Sequence, residues 1–433
     1  MGAQDTRARS ATRRFVPGVV LAGLAAGVTG WVCTRLLHLV EWLAFGLTDG
    51  TLLQAVEAVD PWRRVVALLV AGVVGGVSWY LLYRSGRAPV RIADAVEGWR
   101  MPVGTTLWHA LTQVVIVGLG ASIGREVAPR EAAAALSAWI SDRLGLTPED
   151  RRILVACGAG AGLAAVYSVP LSGAVFALEV FLVRLSPRAV WPALAVSGIA
   201  VLVAQGWERT AAFYTVPVLR SSLSLTVWAL VMGPLIGALG HVFRRVVSSA
   251  EKSRPTDARL LWVMPLVFTG VGLVAVWVPS VLGNGQSTAQ TAFDSLLGHP
   301  VGIGGMATVG FLGIALVGIA KLATTLATIR SGAWGGTLTP GIAMGACLGA
   351  LTGMAWSQAW PGSPVAAFVF IGAAAFLGTS MRAPFTALVL VMEFTHQGST
   401  ILVPTVLALG GAVAVSTLME RRWRTARIDA EDE

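Results

Sequence analysis

The amino-acid sequence places a carboxylate where apolar chains rarely tolerate one. Glu126 stands in GREVAP, 124–129, with about twenty apolar residues ahead of it and an Ala-rich, helix-forming stretch behind it. An ionisable group in such a setting is costly unless it faces the protein interior or a water path. Gly120 and Gly124 loosen the backbone before it, and Pro129 suits the first turn of a helix that begins at or near Glu126. The free N–H groups of such a helix start favour an anion. Two roles fit, and the residues leave both open. Glu126 caps the helix dipole permanently, or it fills an anion site and swings away to admit the ion.

A second turn repeats the design without the charge. Gly335-Gly336-Thr337-Leu338-Thr339-Pro340 has glycines, then a helix start with an early proline. The N–H groups of Thr337, Leu338 and Thr339 are placed to face one point, although an ordinary tight connection fits the same residues. Neither turn is a nucleotide loop, because no G-x-x-x-x-G-K-[ST] occurs and no G-x-G-x-x-G opens a dinucleotide unit. Arg125 is a candidate counter-ion for Glu126, but adjacent helical residues diverge. Lys321 lies in an apolar run, where it pairs with a buried carboxylate or snorkels outward. Glu179 is a candidate for the border of a water-filled path, and Glu393 for structural pairing.

The elements that carry these residues are membrane helices. The chain has 433 residues, 55% of them apolar and 13% charged, about half the charge of a soluble protein. Mean hydropathy is +0.71. The net charge of +9 gathers at the ends and in short connections. Arg7, Arg9, Arg13 and Arg14 precede the first apolar run, and Arg421, Arg422, Arg424 and Arg427 follow the last. This is a topology signal that puts both termini in the cytoplasm of a multi-pass cell-membrane protein, not a nucleic-acid footprint. Cys33, Cys157 and Cys347 form no disulfide or metal pattern, and the five histidines lack ligand spacing, so no metal or cofactor is expected. Ser168 and His109 have no spacing that links them as an intramembrane hydrolase would require, so the chain reads as no enzyme.

Apolar runs cover 15–46, 61–83, 103–120, 153–182 and 189–206 in the first half. The second half has runs at 223–249, 259–280, 302–328, 340–356, 364–380, 384–396 and 400–419. Gly and Pro break many of them, which suggests helices that stop part-way and line a site. PLSGAVFALE, Pro170 to Glu179, matches PFTALVLVME, Pro384 to Glu393, and Gly158 and Gly372 each stand twelve residues ahead. GREVAP and GGTLTP lie upstream, with prolines 41 and 44 residues before Pro170 and Pro384. The chain therefore divides into an N-terminal tail expected to be disordered (1–14), a first membrane repeat (15–206), a linker (207–222), a second repeat (223–420) and a short C-terminal tail (421–433).

These residues resemble the CLC family of chloride channels and proton-coupled anion antiporters. GREVAP is similar to that family's GREGP motif and GGTLTP to its G-x-F-x-P motif. GAGAGLAAVYSVPLSGAVFALE, 158–179, and RAPFTALVLVMEFT, 382–395, resemble its signatures in the two halves. The resemblance implies an all-α polytopic fold of two inverted repeats with interrupted and re-entrant helices. It implies a homodimer with one anion pore in each subunit. Glu126 would be the gate, backbone N–H groups at Glu126, Val127 and Thr337 to Thr339 would bind the anion, and Ser85 would stand near the central site.

Four positions depart from the family pattern. Val180 stands where proton-coupled members usually carry a second glutamate, and valine holds no proton. Val127-Ala128-Pro129 replaces Gly-Pro, and Leu338 replaces Phe. RRWRTARI, 421–428, lacks the pore tyrosine, for which Trp423 is the candidate substitute. The expected activity is chloride permeation, passive or weakly proton-coupled. The alternatives are a proton/chloride antiporter with a non-standard proton path, and a homologue selective for another halide or nitrate.

Overall fold

The structure is a computed structural model that describes residues 2–183, 185–205, 211–294, 301–303, 306–308 and 310–431. The first half contains α1 (Gly2–Phe45), α2 (Leu52–Ala58), α3 (Pro61–Arg84), α4 (Ile92–Val96), α5 (Val103–Gly118), α6 (Val127–Leu144), α7 (Pro148–Tyr167), α8 (Pro170–Phe176) and α9 (Pro187–Gln205). The second contains α10 (Leu223–Lys252), α11 (Leu260–Trp277), α12 (Gln286–Asp294), α13 (Phe311–Arg330), α14 (Leu338–Ala359), α15 (Val365–Ser380), α16 (Pro384–Thr395) and α17 (Leu402–Glu431). Among the described residues eight helices are long and apolar enough to cross a membrane. The expectation of an all-helical membrane fold holds.

Helix bounds differ from the sequence reading. The segment expected to be disordered opens α1, which begins at Gly2, and the short C-terminal tail lies on α17, which runs to Glu431. The apolar run 302–328 is not one span. Val301–Ile303 pairs antiparallel with Met306–Thr308, and helix starts only at Phe311; hydropathy alone cannot separate an apolar hairpin from a helix. Of the linker, residues 207–210 lie outside the described residues.

Local chemistry sets the helix starts. Asp60 Oδ1 accepts the Trp62 N–H at 2.8 Å, and Pro61 opens α3. Thr147 caps α7, and Pro148 opens it. Large apolar side chains face outward, as in α3, where Val66, Leu69 and Val70 are exposed while Ala67, Leu68 and Ala71 are buried. Small residues face inward so that backbones can approach. A Cβ on Gly72 would lie 2.6 Å from Pro265 Cα, so α3 can pack this closely on α11 only with glycine there.

The two repeats meet through exchanged carboxylates. α8 and α16 start with proline and have no side-chain cap of their own. Glu179 follows α8 in a π-helical turn, Ala177–Leu182. Its carboxylate accepts the N–H groups of Phe385 (3.0 Å) and Thr386 (2.7 Å) and the Thr386 hydroxyl (2.7 Å). Glu393 returns the arrangement on Leu171 N–H, Ser172 N–H and the Ser172 hydroxyl. Each repeat thus caps the other. The backbone follows the same symmetry, since Ser168 and Arg382, each two residues before its proline, have φ of 57° and 56°.

Without the carboxylate, these helix-start donors lose the acceptor that caps them. Glu179→Ala and Glu393→Ala should therefore each destabilise the protein by about 3 kcal/mol, from the unsatisfied donors they leave. Thermal unfolding in detergent measures this, and an unchanged midpoint for both variants would contradict the exchanged-cap account.

Candidate functional site

Glu126 does not cap its own helix. It is the residue before α6, makes no side-chain bond to that helix start, and is fully buried. Its carboxylate crosses to the other repeat. Oε1 accepts the Leu338 N–H at 2.8 Å, and Oε2 accepts the Thr339 hydroxyl at 3.2 Å. Glu126 therefore occupies the N-terminal end of α14, a place where the helix field favours negative charge.

The approach is fixed by backbone. Gly124 N–H donates to the Gly336 carbonyl at 2.8 Å, and Gly336 N–H returns a bond to Gly124 at 2.9 Å. This bridge locks the start of α6 against the start of α14. A Cβ on Gly336 would fall on the Glu126 carboxylate, so the carboxylate reaches its place only because residue 336 has no side chain. Val127 begins α6 and Thr337 precedes α14, so both lie at helix starts with unpaired N–H groups.

Unused donors surround this point. The Tyr167 hydroxyl lies towards Thr339 and Asn284. Neither it, nor the Tyr214 hydroxyl, nor the Asn284 amide nitrogen completes a hydrogen bond among the described residues, and all three are buried. Buried donors without partners are uncommon and call for a ligand or water. Such a set fits a small anion, since it offers donors with no fixed charge.

The family model described as Voltage gated chloride channel matches residues 74–417. The chain belongs to the CLC chloride channel family. It is 29% identical over 403 residues to the Citrobacter koseri protein named Voltage-gated ClC-type chloride channel ClcB, covering 89% of this chain and 91% of that one. The Salmonella typhimurium protein of the same name is 27% identical over 392 residues, with 87% and 90% covered. Among solved structures, a slow cyanobacterial Cl-/H+ antiporter aligns with a TM-score of 0.76 at 21% identity over 94% of this chain and 97% of that one. A CLC-type fluoride/proton antiporter aligns at 0.70 and 19%, with 93% and 95% covered. At those identities the solved structures establish the fold, including its two inverted repeats.

Other CLC positions lie away from the carboxylate. Ser85 ends α3; it is exposed, its hydroxyl donates to the Leu82 carbonyl at 2.8 Å, and it lines an open cavity of about 280 Å³ with Arg87 and Trp108. The structure does not join it to Glu126. Glu179 gives up the water-path reading, because its carboxylate is taken by three donors at the start of α16. Val180 lies half-buried in the π-helical turn. Trp423 is no substitute for the pore tyrosine, since it is exposed on α17 with the Arg245 guanidinium 4.2 Å from its ring. Tyr167 is the tyrosine beside Thr339. Its only sequence signal is a single large polar side chain ending the small-residue run 158–166.

The basic residues stay off the carboxylate. Arg125 turns its guanidinium over the Tyr167 ring (5.1 Å) and the Phe213 ring (5.8 Å). Lys321 neither pairs with a carboxylate nor snorkels. It is fully buried, and its Nζ donates to Ser122 Oγ (2.9 Å) and to the carbonyls of Val281 (2.9 Å) and Gly283 (2.8 Å). The ammonium thereby ties the turn before Glu126 to the turn that carries Asn284. No cluster of three metal-ligating side chains occurs among the described residues.

Proposed function

We propose that this protein moves chloride, or a closely related small anion, across the cell membrane, and that Glu126 is its gate. The reading includes both termini in the cytoplasm, a homodimer with one pathway per subunit, and no enzymatic step. One observation carries it: the Glu126 carboxylate fills the start of α14 by accepting Leu338 N–H and the Thr339 hydroxyl. A carboxylate held only by helix-start donors occupies a site that an anion can take in its place. Protonation removes the charge that holds the side chain there, and displacement by an anion does the same.

Thr337, Leu338, Thr339 and Val127 would supply backbone donors to the anion, with Tyr167, Tyr214 and Asn284 adding side-chain donors. Among the described residues no ammonium or guanidinium touches the carboxylate, which suits flux, because a full positive charge in a dry site would hold the anion too tightly to release it. Valine at 180 supports passive or weakly proton-coupled movement.

The test is chloride efflux from vesicles containing purified protein, with fluoride and nitrate as competing ions. Efflux at least tenfold above empty vesicles is expected, with chloride preferred. Efflux no faster than empty vesicles for all three ions would overturn the proposal, and a preference for fluoride or nitrate would reassign the anion.

A further inference from the structure

A second acid lies buried on α6. Glu131 follows Glu126 by five residues on α6, about 7.5 Å along the axis at 1.5 Å per residue. It is 4% exposed, and it faces His109 of α5, which is fully buried. His109 Nε2 stands 3.3 Å from Glu131 Oε2, and Gln113 Nε2 donates to the same oxygen at 2.8 Å.

The histidine is held neutral by its other side. Trp79 Nε1–H donates to His109 Nδ1 at 2.8 Å. An indole N–H only donates, so Nδ1 must accept and the imidazole proton sits on Nε2, towards Glu131. An imidazolium could not keep the Trp79 bond. The titratable member of the pair is therefore the carboxyl.

Its partners suit both protonation states. Gln113 Oε1 is buried without a partner. Gln113 donates its amide to the carboxylate, and a half-turn of that amide would let Oε1 accept from a carboxylic O–H. Glu131 Oε2, the oxygen that faces Gln113, is therefore the one that takes the proton. The step is simple: a proton from water adds to Oε2, the carboxylate becomes a neutral acid, and the same proton later leaves to water.

A second aromatic ring closes the other side of the histidine. The Trp334 ring packs edge-on to His109 at 5.1 Å, and its Nε1 donates to the Tyr83 hydroxyl at 2.9 Å. Tyr83 is only half-buried, at the end of α3. Two cations act on the acid, Arg130 beside it and Arg254 above Trp334. Arg130 also interacts with Glu126, and its guanidinium lies 4.4 Å from the Phe176 ring and 5.8 Å from that of Phe181. The other helices on α6 aim their carboxylates elsewhere: Glu41 of α1 lies near Arg125, and Asp150 of α7 pairs with Arg188.

We propose that Glu131 is a second proton-binding carboxyl of the transport path, held in place by Trp79, His109 and Gln113, and that it gives this protein its proton coupling. The proposal rests on the anion-transport reading above. It is tested in vesicles of phosphatidylethanolamine and phosphatidylglycerol, with valinomycin and potassium holding the voltage at zero. A chloride gradient should drive protons uphill in the wild type, and Glu131→Gln should lower the proton-to-chloride ratio at least tenfold. Infrared difference spectra between acid and alkaline pH should lose a carboxylic C=O band in the same variant. If Glu131→Gln does not fold, Glu131→Asp must still change the ratio or shift that band. Wild-type vesicles without chloride flux would overturn the transport reading itself. Chloride flux without proton movement, or a wild-type ratio and band in the Glu131 variants, would overturn this inference alone.

Discussion

Glu126→Ala should speed chloride flux on the order of tenfold and flatten its dependence on pH. The carboxylate now holds two donors, Leu338 N–H and the Thr339 hydroxyl. Hydrogen bonds to a charged group are worth about 1.5–3 kcal/mol each. An entering anion must displace both, and it wins back similar bonds only after the side chain has left. Wild-type flux should therefore rise on acidification, as the neutral acid releases the donors. Alanine removes the competitor at every pH. The methyl leaves the helix start vacant, so the variant should also gain thermal stability from added chloride, by about 2.7 kcal/mol at a hundred times its Kd. The wild type should gain less, because its own carboxylate already fills the site. Flux measured from pH 4 to 8 and melting midpoints with and without chloride give two independent readings. Wild-type flux at each pH, together with no chloride stabilisation, would mean that Glu126 is a structural cap and not a gate.

The sequence made the site legible where apolar character fails. The breaks at 120–130 and 330–341 are the two turns that the structure bridges at Gly124 and Gly336. The duplicated Pro-to-Glu segments became the exchanged caps of Glu179 and Glu393. What stayed hidden is which helix each acid serves. Spacing within a segment cannot show that a carboxylate crosses to the other repeat, so both roles open to Glu126 were placed at the start of α6, whereas its carboxylate fills the start of α14. The same limit concealed Lys321, whose three acceptors come from turns 38 to 199 residues away. It concealed His109 too, since Glu131 and Trp79 approach it from different helices. Position in a motif left open where Ser85 and Trp423 lie, because it fixes neither the direction of a side chain nor the path of a loop. Tyr167 was readable only as an oddity, and its role depends on α7 ending beside Thr339.

Gly336→Ala should obstruct the pathway without touching the gating residue. The new methyl would land on the Glu126 carboxylate and lie 2.8 Å from its Cγ. What it meets is the end of a flexible side chain rather than backbone, and residue 336 is not in the left-handed region. The side chain can therefore yield. The methyl then takes the place at the start of α14 that an anion would fill once the carboxylate has left, so flux should fall well below the wild type. The double variant separates this from a change in Glu126 alone. Once residue 126 is alanine, the methyl at 336 still stands where the carboxylate stood, so adding Gly336→Ala should cancel both the faster flux and the chloride stabilisation of Glu126→Ala. Two residues that share one site are coupled in this way. If the double variant instead keeps the flux and the chloride stabilisation of Glu126→Ala, the anion does not bind where the carboxylate sits.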